Sequence, residues 1–427
     1  MPQSLKDRLR RIRDEKKNEA TPRKKPAEAV DRLPFEARGW ISAGFCTLKR
    51  EIPAELSLDL PVELSPALPL VIPDLGRRII KDGASVRPPL PEDFMFFDLE
   101  TTGLSGGAGT IAFLAAFGRL NRAGGAGKFL SPNRYELHIT QYLLLDYPGE
   151  NDFLDALLGE FRIRTPVIVS YNGKCFDSQI LKTRCLMNGI QTPEYQHVDL
   201  LHPARRLWKR IFDDCSQITI ESRALGINRG GDIPGALAPE IWFAFLKNGD
   251  VESLLGICDH NCGDIRGLAC IFAAINHIAA DPCGLLQKYN YDIENLALRW
   301  REALRDKRWD KKEADILRDT GRELLRLAAE KKFPRAALIY ALDLLRRGDY
   351  AEGRLRLLQA DAAGFPSDIR AAALRYLAID SEWRLKNVAD ALELAKRGLE
   401  LPLIGKVRQE EFERRVERLR KKLEMSA

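Results

Sequence analysis

Asp98 and Glu100 stand two residues apart at the end of the apolar run Phe94-Met95-Phe96-Phe97. Such a run reads as a buried strand. On a strand residues i and i+2 share a face, so both carboxylates point the same way. Two like charges that close repel each other, and an acid pair ending a buried strand is costly unless it is paired or liganded. A divalent cation answers both difficulties, because hard cations prefer oxygen ligands. The competing reading is a solvated acidic strand end.

Two more segments carry residues of the same kind. Ser170-Tyr171-Asn172-Gly173-Lys174-Cys175-Phe176-Asp177 lies between a strand predicted at Val167-Ile168-Val169 and a helix predicted over 176–187. Asn-Gly supplies a tight turn there, and Asp177 falls near the helix start, where an acid equally complements the macrodipole. In His260-Asn261-Cys262-Gly263-Asp264 the histidine and the last acid are four residues apart. On a helix that spacing puts both on one face. The alternative is a hydrogen-bonded buried histidine beside a surface acid. The Gly106–Gly109 run lacks the Lys-Ser/Thr of a Walker loop and reads as a turn between strands.

The order of these signals resembles the DEDD exonuclease superfamily, the DnaQ-like branch of ribonuclease-H-like nucleases. It runs D-x-E at a strand end, an acid after Asn-Gly, then H-x-x-x-D on a helix. Phe97 through Thr110, Tyr171-Asn172-Gly173-Lys174, Phe176-Asp177, Asp232-Ile233-Pro234-Gly235 and Ser4-Leu5-Lys6-Asp7-Arg8-Leu9 are similar to the YprB-type family, which often carries a helical-repeat tail. The resemblance implies a 3′→5′ exonuclease hydrolysing phosphodiester bonds with two magnesium or manganese ions. By it, Asp98, Glu100, Asp177 and Asp264 are the metal ligands and His260 the general base. Thr101, Thr102, Gly103 and Asn172 would meet the terminal nucleotide, and Lys174 a phosphate, with a solvated lysine as the alternative. One departure stands out. The tyrosine branch of the superfamily has Y-x-x-x-D and the histidine branch H-x-x-x-x-D, whereas this chain has histidine at the tyrosine spacing. The resembled family is associated with bacterial DNA repair beside a helicase, so DNA is favoured over RNA. An exoribonuclease, or an inactive nuclease fold serving as a nucleic-acid-binding scaffold, are the alternatives.

The elements that must position these residues follow from periodicity. Strands are expected at 94–98, 111–117, 134–145 and 167–169, and helices at 152–161, 176–187 and 250–280. This is an α/β domain with a mixed sheet flanked by helices, the ribonuclease-H-like class. The boundaries expected are a basic arm over 1–34, an N-terminal extension packing on the nuclease over 35–91, the nuclease over 92–284, and TPR-like helical hairpins over 285–427. In that tail Gly348-Asp349-Tyr350-Ala351 and Lys386-Asn387-Val388-Ala389 occupy equivalent turns 38 residues apart. It is a candidate docking surface for a helicase or another protein.

Composition narrows the class. The chain of 427 residues is 45% hydrophobic and 30% charged, which suits folded domains. Ten Lys/Arg against five Asp/Glu in residues 1–30 account for nearly all of the net charge of +6. An acidic polymer could be gathered by that arm, and any groove on the body must be local. Arg205, Arg206, Lys209 and Arg210 interleave with Trp208 and Phe212, either a single-strand platform or an amphipathic helix burying its aromatics. Trp242, Phe243 and Phe245 read as core. The eight scattered cysteines read as free thiols, and no secretory signal or membrane span is visible, so a cytoplasmic location is expected.

Overall fold

A computed structural model of the chain describes residues 32–60, 63–76, 89–103, 109–122, 135–163, 166–305, 309–361 and 364–425. The expected arm falls outside these residues up to residue 31, and the Gly106–Gly109 turn falls outside them except for Gly109. No helix among the described residues is long and apolar enough to cross a membrane.

The strands are β1 (Ile41–Gly44), β2 (Thr47–Ala54), β3 (Phe94–Thr101), β4 (Ala112–Arg122), β5 (Tyr135–Leu144), β6 (Val167–Ser170) and β7 (Gln196–Asp199). They form one sheet of seven strands in the order β1-β2-β5-β4-β3-β6-β7. Pairing is antiparallel from β1 to β3 and parallel from β3 through β6 to β7. The mixed sheet expected from the sequence is therefore present. Residues 41–54, in the segment expected to pack on the nuclease, extend its sheet, because β2 pairs along the whole of its length with β5.

Helices cover both faces. They are α1 (Glu150–Ile163), α2 (Asp177–Met187), α3 (Leu201–Trp208), α4 (Gln217–Ala224), α5 (Ala238–Asn248) and α6 (Val251–Ala280). The pleat of β3 sorts its side chains between two cores. Phe94 and Phe96 join Ile265, Leu268 and Phe272 of α6, together with Leu207, Trp208 and Ile220 of α3 and α4. Met95, Phe97 and Leu99 join Leu154, Leu157 and Phe161 of α1 and Ile180 and Leu181 of α2. Asp98 and Glu100 continue the Phe94–Phe96 face, so the same alternation that buries the phenylalanines aims both acids toward α6. The helix can lie close because the sheet is thin there: Ala116 is buried beneath it, and a Cβ added to Gly118 would come within 2.5 Å of Ile265 Cγ2. Helix α5 stops at Gly249, which takes the left-handed conformation, and Asp250 then caps α6 by accepting from the Ser253 amide.

The tail is helical: α7 (Ile293–Ala303), α8 (Lys311–Glu330), α9 (Pro334–Arg346), α10 (Tyr350–Ala360), α11 (Ser367–Trp383), α12 (Val388–Leu399) and α13 (Lys406–Glu424), each packed on the next. Gly348 and Lys386, in the turns before α10 and α12, both have positive φ, 87° and 57°. The boundary expected at 284/285 falls inside a continuous core. Tyr289, Ile293, Leu296 and Trp300 are buried with Leu207 and Trp208, and that core runs on to Ala336. A second core begins at Ala341 and serves the hairpins alone. Trp208 Nε1 donates to the Tyr289 carbonyl at 2.9 Å, and Arg210 is held by Asp292 and Glu294. The cluster around Arg205–Arg210 is thus the end of an amphipathic helix and the turn after it, and together they seat the tail.

Candidate metal centre

Strands β3 and β6 are parallel, so their carboxyl ends lie side by side, and the turn after β6 delivers Asp177 next to the acids of β3. Asp98, Glu100, Asp177, His260 and Asp264 all line one cavity of about 250 Å³, together with Thr101, Asn172, Phe176 and Pro239. Glu100, His260 and Asp264 each offer a ligand atom within 4.8 Å of the others. Glu100, Asp177 and His260 are buried, and Asp98 and Asp264 partly so.

The turn that places Asp177 is held by Asp199 at the end of β7, which accepts from the amides of Asn172 (2.8 Å), Lys174 (3.2 Å) and Leu201 (3.1 Å). Asn172 has φ 65°. Gly173 has no room for a side chain, since a Cβ would meet Asp177 Oδ2 at 2.5 Å and Ser170 Oγ at 2.6 Å. Among the residues expected to touch substrate, Thr101 and Asn172 line the cavity. Thr102 closes the following loop by accepting from the Ile111 amide, and the Gly103 carbonyl accepts from Thr101 Oγ1. Lys174 turns away from the cavity, with Nζ 2.7 Å from Asp74 Oδ2, so its ammonium is already committed to an ion pair.

Residues 95–276 match the family model of the RNase_H superfamily. Residues 95–276 form a ribonuclease-H-superfamily domain. Over 185 residues the chain is also 38% identical to a Bacillus subtilis (strain 168) protein whose name is "Uncharacterized protein YprB". That likeness covers 42% of this chain and 41% of the relative, so the chain spans about two fifths of the relative's length.

Within the ribonuclease-H domain the electrostatics suit a divalent cation. Burial, with the charges of Asp264 and Asp177, pushes the Asp98 carboxyl well above the usual carboxylate range. Burial and the neighbouring Asp98 do the same to Glu100. Burial, with Glu100, Asp199 and Asp264 nearby, pushes Asp177 up to about 8. These acids cannot all ionise at neutral pH without a compensating cation, and an all-oxygen set with one imidazole is chemistry that magnesium or manganese accepts. Asp264 differs. Burial works against its charge, but the hydrogen bond and charge of His260, and then Arg229, outweigh it and hold its carboxyl below the usual range. Burial likewise opposes protonation of His260, but hydrogen bonds to Asp264 and Asp232 push the imidazole up to about 9.

Several supporting residues escaped the sequence reading. Asp232 Oδ1 lies 2.8 Å from His260 Nδ1, although the segment Asp232–Gly235 had already marked itself by resemblance. Arg229 donates to Asp264 Oδ1 at 2.7 Å and pairs with buried Glu221 through two hydrogen bonds. Asn261 Nδ2 donates to Asp98 Oδ2 at 2.7 Å. Segment 221–235 can lie this close to α6 because the helix presents glycines: Gly267 faces Glu221, Gly263 faces Arg229 and Gly256 faces Ile233. In α5, Trp242 and Phe245 are buried as expected, whereas Phe243 is 45% exposed, because one residue along a helix turns it 100° away from its neighbour's face.

Proposed function

We propose that the protein is a 3′→5′ exonuclease that hydrolyses phosphodiester bonds at a single-stranded DNA end, with magnesium or manganese as cofactor. The observation that carries this reading is the convergence of four carboxylates and His260 on one cavity beside the ends of β3 and β6. When bound, two divalent cations would supply an acidified water and charge stabilisation for the leaving oxygen. Asp98, Glu100, Asp177 and Asp264 would hold them. The rest of the work falls to the chain. The β3 backbone fixes two of the ligands, the Asp199-braced turn fixes the third, and α6 fixes the fourth. Asp232 holds Nδ1 of His260 and orients the ring; with the charge of Asp264 taken up by a bound cation, Nε2 would shed its proton and could then take one from the attacking water. Thr101 and Asn172, which line the same cavity, would touch the terminal nucleotide. The choice of DNA, a role in DNA repair in the cytoplasm and a helicase or other protein partner on the helical tail rest on the family resemblance.

The experiment is digestion of 5′-labelled DNA and RNA oligonucleotides of one sequence with manganese, with magnesium and with chelator. A ladder of single-nucleotide steps from the 3′ end of DNA is expected, and none with chelator. A ladder on RNA alone would make the protein an exoribonuclease. Binding without cleavage of either in manganese would sink the enzymatic reading in favour of a scaffold.

A further inference from the structure

Arg50, Gln141, Ala116 and Asp98 form one row across four strands. In the sheet register Arg50 of β2 stands opposite Gln141 of β5, Gln141 opposite Ala116 of β4, and Ala116 opposite Asp98 of β3. Residues in such a row share a face, here the face covered by α6. Ala116 is too small to reach across, and Asn261 descends from α6 over it. Arg50 Nε donates to Gln141 Oε1 at 2.6 Å, Gln141 Nε2 donates to Asn261 Oδ1 at 2.8 Å, and Asn261 Nδ2 donates to Asp98 Oδ2 at 2.7 Å. Arg50, Gln141 and Asn261 are all buried.

The direction of this chain is forced. A guanidinium can only donate, so the Gln141 oxygen must face Arg50. A backbone carbonyl can only accept, and Gln141 Nε2 also donates to the Cys258 carbonyl at 2.9 Å, which fixes the other end of the same amide. The remaining N–H of Gln141 then requires an oxygen from Asn261. That leaves the Asn261 NH₂ for Asp98 and no other. Arg50 is itself braced, with Nη2 3.0 Å from Asp259 Oδ1 and its guanidinium 4.8 Å from the Trp40 ring.

We infer that Arg50 is a positioning residue for the metal centre, acting through Gln141 and Asn261 to fix the orientation of the Asp98 carboxylate. This rests on the metal-dependent reading of the site. It makes the hairpin β1–β2, which lies outside the matched family segment 95–276, a working part of the centre. Partners behind a ligand typically change metal affinity by about 10–100-fold.

The test uses the full chain, manganese alone as the probe, and selective ¹⁵N-asparagine labelling. Arg50→Met is expected to weaken manganese affinity about tenfold, measured well below its melting temperature, and to move the Asn261 side-chain amide signals in the metal-free protein. Arg50→Lys, which keeps a buried donor, should recover part of both. Asn261→Leu should cost at least as much, and adding Arg50→Met to it should cost little more, because a shared chain makes the effects non-additive. An arginine that only supports the fold would lower the melting temperature and leave affinity and amide signals alone. Folded Arg50→Met with wild-type affinity and unmoved Asn261 signals overturns the inference. Failure of the wild type to bind manganese would instead defeat the metal reading, and the Asn261 signals would then decide the positioning chain by themselves.

Discussion

Asp232 and His260 share a hydrogen bond of 2.8 Å, Oδ1 to Nδ1, while Nε2 of the same ring lies 3.1 Å from Asp264 and 3.9 Å from Glu100. One ring nitrogen is tied down and the other is aimed at the acids. Asp232 is the carboxylate that orients the ring. Replacing His260 by Ala should lower turnover by about 10²–10⁴-fold with metal binding retained. His260→Tyr should recover part of the rate. Asp232→Asn should cost less than His260→Ala and alter the pH–rate profile rather than the Michaelis constant. Wild-type turnover in His260→Ala would leave the histidine a structural role only.

The metal-free protein should grow less stable as pH rises. Asp177 ionises near 8 in the fold, above about 3.9 for an unfolded aspartate. Its folded value is raised, so its contribution is fully present below about pH 4 and is lost as pH climbs through about 8. Asp98 and Glu100 act in the same direction. Melting with chelator should therefore fall between pH 5 and 9 by this linkage, and added manganese should reverse the fall. Asp177→Asn should abolish hydrolysis and flatten the decline. A metal-free melting temperature that rises across this window would contradict the assignment.

Gly173→Ala should damage activity more than stability. Its added Cβ would press on Asp177 Oδ2 and Ser170 Oγ, and the adjustment falls on an acid of the cavity. A loss of about 10²-fold in turnover with a melting shift of a few degrees is expected, as small misplacements at reacting groups cost about that much. Equal loss of both would point to general disruption of the β6–α2 turn.

Truncation separates the two cores. A chain ending at residue 285 loses Ile293, Leu296 and Trp300, buried on the helix that packs against α3 and against Leu68–Val71, at about 1.5–3 kcal/mol per side chain. It should lose cooperative melting. A chain ending at residue 349 keeps the first core and should hydrolyse a short oligonucleotide like the full protein. Loss of activity in that longer chain, with its fold intact, would place part of the substrate groove on the hairpins.

Several residues of this cavity could be paired from the sequence because they sit at local spacings: Asp98 and Glu100 on one strand face, His260 and Asp264 on one helix face. The strands at 94–101 and 167–170 and the helix at 251–280 announced themselves by apolar runs and periodicity. What stayed hidden depends on residues far apart in sequence. Arg229 reaches Asp264 across 35 positions, Asn261 reaches Asp98 across 163, and Asp74 captures Lys174 across 100. No period records such meetings. The burial of α7 in the same core as Trp208 was hidden for a related reason. Helix α7 has the same amphipathic pattern as the hairpin helices, and only the partner it buries against, Trp208, assigns it to the nuclease core.

The pairing of β2 with β5 has a consequence for anyone who trims the protein to its family segment. Cutting at residue 95 removes both strands of the hairpin and bares the edge of β5 from Leu137 to Leu144. Its middle, Leu137 and Ile139 to Leu144, is apolar enough to recruit another strand, and natural sheets protect such edges. The excised domain should therefore self-associate by pairing β5 with a second copy. The hairpin is a guard against aggregation as well as a brace for Asp98, and losing it would deprive the fragment of solubility and of Arg50 in the same cut.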